Sequence, residues 1–175
     1  MDYADPSFPT RWPAASLPGK LESIGDFDRS AGVVFTSSPS ANAGDRITAL
    51  LFESGIASQV ATLDLKPGQP RSLSGRSVFS ADGNILSLRT LDQNGSFVAK
   101  PDLKNLPWNP AELLANDQYL VFRNGTDLGL VDSLFAGDIS TWTMDSWIYW
   151  ELEKGWQFGD GFAIPLGSYG VEVLK

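Results

Sequence analysis

Residues 77–100 read SVFSADGNILSLRTLDQNGSFVAK, which is the pattern of a three-stranded antiparallel meander. Ser77–Ala81 and Asn84–Leu91 carry the large apolar and β-branched residues that fit a pleated, half-buried surface. Asp82-Gly83 separates them, and Asn94-Gly95 separates the second from Ser96–Lys100. Both dipeptides supply the positive φ that a type I′ turn requires, and that turn matches the twist of paired strands. Tyr119–Arg123, Asn124-Gly125 and Thr126–Val131 repeat the device.

Working outward, the same reading extends to both sides. Val33–Thr36, Arg46–Glu53 and Ile56–Leu65 are short apolar runs broken by the Ser/Pro/Asn-rich loop at 37–45 and by Ser54-Gly55. Toward the end, Trp147–Leu152, Trp156–Phe158, Phe162–Pro165 and Tyr169–Leu174 are separated by Glu153-Lys154-Gly155 and Asp160-Gly161. About ten short strands with turn signals every 8–12 residues predict an all-β chain, a single antiparallel β-sandwich or jelly-roll-like barrel. One short helix is expected at Pro110–Asn116. There Asn109 stands where a cap belongs, Pro110 at the first helical position and Glu112 in the first turn. No fixed-period repeat is read beyond the recurring hairpin turns.

Residues 1–20 hold four prolines, Pro6, Pro9, Pro13 and Pro18, interleaved with aromatics. Proline at that density removes donors and blocks helix. The expected organisation is therefore an extended arm over residues 1–30 and one β domain over residues 31–175. Tyr3, Phe8 and Trp12 are the candidate partner-binding residues of the arm.

Composition narrows the chemistry. The 175 residues include no His and no Cys. Disulfides, thiolate nucleophiles, Cys/His zinc sites and triads built on histidine are excluded. A chain of this size buries roughly 70% of its unfolded surface, enough for a sizeable core. With 13 Lys+Arg against 21 Asp+Glu the net charge is −8, which disfavours nucleic acid and anionic membrane as partners. No run of apolar residues is long enough to span a bilayer, and the first residues do not read as a secretory leader. The location expected from this is cytoplasmic. Asp-rich loops do not keep EF-hand spacing, and no metal or cofactor is expected. Scattered carboxylates and lysines form no recognisable catalytic motif, so no enzyme activity is expected either.

The densest aromatic stretch is TWTMDSWIYWEL, residues 141–152. If extended, it places Trp142, Met144, Ile148, Trp150 and Leu152 on one face, which reads as core. Asp145, Trp147, Tyr149 and Glu151 share the other face. Two aromatics beside two carboxylates form a candidate surface for a protein or for a sugar, since aromatic faces stack on pyranose C–H groups and dominate protein hot spots. The functional expectation is a non-catalytic structural or assembly protein. It would be a self-associating, homo-oligomeric subunit of a larger particle, such as a virion cement, decoration or tail component. The alternative is a carbohydrate-binding module.

Overall fold

A computed structural model of the chain describes residues 17–25, 31–41, 44–53, 56–116, 118–144, 156–158, 161–165 and 171–174. The expected all-β class is met. Fifteen strands are described: β1 (Lys20–Gly25), β2 (Ala31–Pro39), β3 (Asp45–Glu53), β4 (Ile56–Asp64), β5 (Arg71–Ser74), β6 (Ser77–Asp82), β7 (Ile85–Leu91), β8 (Phe97–Ala99), β9 (Glu112–Ala115), β10 (Tyr119–Asn124), β11 (Asp127–Asp132), β12 (Ser140–Thr143), β13 (Trp156–Phe158), β14 (Gly161–Pro165) and β15 (Val171–Leu174). In every sheet the neighbours follow chain order: β1–β4, β5–β8, β9–β12 and β13–β15. The recorded pairings are antiparallel, as hairpin connections demand.

The chain divides into two compact units, Met1–Gly68 with Leu91–Phe97, and Gln69–Thr90 with Val98–Lys175. In the first unit, β2 and β3 are buried on both faces. Val33, Phe35, Ile47 and Ala49 point one way; Val34, Thr36, Thr48 and Leu50 point the other. The Phe35 ring stacks 6.3 Å from that of Phe97. Gly95, at φ 76°, presses so close to Val60 that a Cβ there would lie 2.8 Å from the valine Cβ.

In the second unit, β5–β8 and β9–β12 pack face to face, the layered arrangement of a sandwich. Phe79, Ala81, Leu86 and Leu88 from one sheet meet Leu113, Leu120, Phe122 and Val131 from the other. Val121 and Leu128 start a second cluster on the opposite face of β9–β12, joined by Leu114, Tyr119, Leu130, Trp142 and Met144. Trp142 and Met144, both half-buried, pack against this cluster from the face the period-2 reading assigned to the core; Ile148, Trp150 and Leu152 of that face lie outside the described residues.

Three expectations are corrected. Pro110–Asn116 is not helical: Glu112–Ala115 is β9, paired with β10. Leu113 is drawn into the shared core, and Asn116 Oδ1 accepts the backbone N–H of Gln118 and of Tyr119, forming a turn instead of ending a helix. The hairpin turns also differ from type I′. Asp82 pairs with Ile85 and Asn124 with Asp127, so the central residues are Gly83-Asn84 and Gly125-Thr126. Positive φ is confined to the glycine, 59° in both, which is the type II′ pattern. Gly75-Arg76, between Ser74 and Ser77, is a third example, with Gly75 at φ 52°.

The third correction concerns periodicity. β5, β6, β7 and β8 begin at 71, 77, 85 and 97; β9, β10, β11 and β12 begin at 112, 119, 127 and 140. The second sheet therefore repeats the first after 41–43 residues, with Gly83 matching Gly125, Leu86 matching Leu128 and Leu88 matching Leu130. A four-stranded meander recurring at this interval is the kind of unit from which blade-type repeats are built.

Candidate functional site

The sequence-predicted site residues lie outside the described part of the chain: Tyr3, Phe8 and Trp12 of the arm, and Asp145, Trp147, Tyr149 and Glu151. The arm region is described only from Leu17, and Lys20–Gly25 within it is β1, hydrogen-bonded to β2. That strand is the candidate site. It carries only two large apolar residues and follows Pro18-Gly19, so its sequence gives little strand signal.

β1 ends the order β1-β2-β3-β4, so one of its edges carries no partner strand among the described residues. Gly19 feeds the chain into it at φ 139°, a conformation that L-residues avoid. A Cβ at Gly19 would stand 2.2 Å from the carbonyl oxygen of Ser37. A bulge then falls between Leu21 and Ser23. Leu21 faces Thr36 and Ile24 faces Val34, two residues apart on β2, so the bulge places both apolar side chains on one face of the sheet. They are 45% and 60% exposed, against 0% and 6% for their partners on β2.

Polar groups fix this edge. Ser37 Oγ donates to Glu22 Oε1 at 2.5 Å, and Lys20 Nζ stands 3.7 Å from the same oxygen. Lys20 itself is highly exposed. A strand whose outer edge has no partner strand among the described residues, with a charged rim and two apolar side chains on one face, has the features that suit addition of an extended segment.

On the same sheet, Arg46 Nε donates to Asp64 Oδ1 at 2.7 Å and Arg46 Nη2 to Asp64 Oδ2 at 3.0 Å. Ser40 Oγ donates to Asp64 Oδ1 at 3.3 Å. The hydrogen bond from Arg46 is the main cause that holds the Asp64 carboxyl below its ordinary value, and desolvation opposes it. In the second unit, Arg123 pairs with Glu112 across β9 and β10, and Ser72 Oγ accepts the Ala115 N–H at 2.9 Å, tying β5 to β9. Among the described residues no three His, Cys, Asp or Glu side chains gather where they would hold a metal, and no helix is long and apolar enough to cross a membrane.

No family model matches the chain, and no curated protein matches it in sequence. Among solved structures it resembles AztD of Citrobacter koseri, at 18% identity and a TM-score of 0.44, over 85% of this chain. The chain spans 40% of that structure's length. At this level of likeness, nothing of AztD's own role passes to this chain. None of the comparisons supports the expected reading as a self-associating virion component, and that expectation is withdrawn.

Proposed function

We propose that the chain is a non-catalytic protein-binding scaffold that accepts an extended segment of a partner along β1. The observation that carries this reading is the placement of Leu21 and Ile24, both exposed and both on one face of a strand whose outer edge has no partner strand among the described residues. Backbone hydrogen bonds along the edge would supply affinity, and the two apolar side chains would select residues of matching register. A chain without His or Cys offers few nucleophile–base pairs, which favours binding over turnover.

The test uses a displayed library of linear peptides selected on the full-length protein. Enriched peptides should lose binding to the Leu21→Lys/Ile24→Lys variant while that variant keeps its thermal transition. Peptides that bind both proteins equally, or a selection that enriches nothing, would refute the reading.

A further inference from the structure

Two turns contain Asn followed by Gly, and the fold holds them very differently. Asn94-Gly95 lies between β7 and β8, and Asn124-Gly125 joins β10 to β11. Such a pair carries its own chemistry, because the glycine amide nitrogen can close on the asparagine side-chain carbonyl. Glycine has no Cβ to obstruct that approach. In a folded chain the rate depends on whether the glycine N–H is engaged and whether the backbone can rotate.

Asn94-Gly95 is held firmly. Asp92 Oδ1 accepts the N–H of Asn94 at 2.9 Å and that of Ser96 at 2.8 Å. The Gly95 N–H, which is the attacking group, donates to the Asp92 carbonyl at 3.2 Å, and Asp92 N–H donates to the Ser96 carbonyl at 2.9 Å. Gly95 is also buried against Val60. Ring closure would have to break these bonds and lift the glycine off a packed side chain.

Asn124-Gly125 sits in the open. Both residues are exposed, and a Cβ on Gly125 would meet nothing within 4 Å. The closing hydrogen bond of such a turn joins its first and fourth residues, here Asn124 and Asp127, and makes no use of the Gly125 N–H. The far arm is anchored to β12, since Met144 N–H donates to the Thr126 carbonyl at 2.9 Å and Thr143 Oγ1 to Asp127 Oδ1 at 2.7 Å. Rotation at Asn124 therefore disturbs only the last pair of the hairpin.

We propose that Asn124 is a site of spontaneous deamidation and isoaspartate formation, and that the fold protects Asn94. The Gly125 nitrogen gives up its proton and bonds to Cγ of Asn124. The Cγ–Nδ2 bond breaks, and ammonia leaves with that proton, so that a cyclic imide remains. Water then opens the imide. Opening at the side-chain carbonyl gives aspartate at position 124; opening at the backbone carbonyl gives isoaspartate, whose main chain is one methylene longer. Either product sets a carboxylate opposite Asp127, a like-charge pair across the strands. The chemistry asks nothing of β1, so this inference stands apart from the binding proposed there.

The test incubates the full-length protein at neutral pH in heavy-oxygen water, followed by digestion and peptide mapping by mass spectrometry. The heavy oxygen separates conversion during incubation from conversion during digestion. Peptides covering Asn124 should gain one heavy oxygen, as aspartate and isoaspartate. Those covering Asn94 should convert at least about tenfold more slowly, because an amide hydrogen bond alone is worth a factor approaching ten and packing against Val60 adds to it. In urea-unfolded protein the two sites should convert at similar rates, since each is Asn-Gly followed by a hydroxyl residue, Ser96 or Thr126. Comparable rates in the folded chain, or faster conversion at Asn94, would overturn the proposal. So would a difference of the same size in urea, which would place its cause in the sequence and not in the fold.

Discussion

The ring of Phe122 lies across Gly129, its cross-strand partner on β11, so closely that a Cβ on residue 129 would meet Cζ of the ring at 2.1 Å. Phe122 is fully buried at the centre of the core shared by β5–β8 and β9–β12, and Trp108 packs on it at 5.8 Å between ring centroids. The glycine is a packing requirement, since only a hydrogen leaves room for the ring.

Gly129→Ala should therefore destabilise the protein by about 1–3 kcal/mol, the range of an overpacked core. Phe122→Ala, which opens a cavity, should cost about 3–5 kcal/mol. The two sites share one contact, so the cost of Gly129→Ala should shrink in a Phe122→Leu background. Chemical denaturation of the three variants measures this; additive costs would show that the ring does not rest on the glycine.

Asn116→Ala removes the acceptor of two backbone N–H groups, those of Gln118 and Tyr119, in a turn that is buried at Asn116. A loss of about 1–3 kcal/mol is expected, and an unchanged denaturation midpoint would contradict the turn.

Gly19→Ala forces a side chain against the Ser37 carbonyl at a φ that alanine avoids. The penalty of about 1–3 kcal/mol should appear locally, because β1 is an edge strand and can detach alone. Hydrogen exchange should accelerate at the amides of β1 and at Ser37, while Phe122 in the second unit keeps its protection.

Acid should weaken the first sheet through Asp64. Its carboxyl sits below the ordinary value in the folded chain because Arg46 hydrogen-bonds to it. The stabilisation is therefore present above the unfolded carboxylate value, about 3.9, and fades as pH falls through the lower folded value. The pair is solvent-exposed, so salt should reduce the effect. Comparing wild type with Asp64→Asn across pH should show a gap at neutral pH that closes in acid; a gap that widens in acid would reverse the assignment.

The hairpins were legible because Gly83 and Gly125 are the residues that turns demand, and short apolar runs flank them on both sides. Their type was not, because pairing of Asp82 with Ile85 shifts the turn by one residue, a choice made by register and not by composition. β9 read as a helix because Asn109, Pro110 and Glu112 match a helix start; burial of Leu113 against the facing sheet overrides that local preference. The repeat was hidden because its two copies share little beyond a turn glycine and the leucine pair at 86/88 and 128/130. β1 offers only Leu21 and Ile24 among polar residues, so the candidate site became visible only once pairing with β2 revealed the bulge.

Amide hydrogen exchange along Lys20–Gly25, with and without a peptide selected on the full-length protein, tests the binding role of this edge most directly. Addition of a strand predicts that the outward-facing amides of β1 slow markedly on binding, while those already bonded to β2 change little. Saturating peptide that leaves every β1 amide exchanging at its free rate would contradict the account.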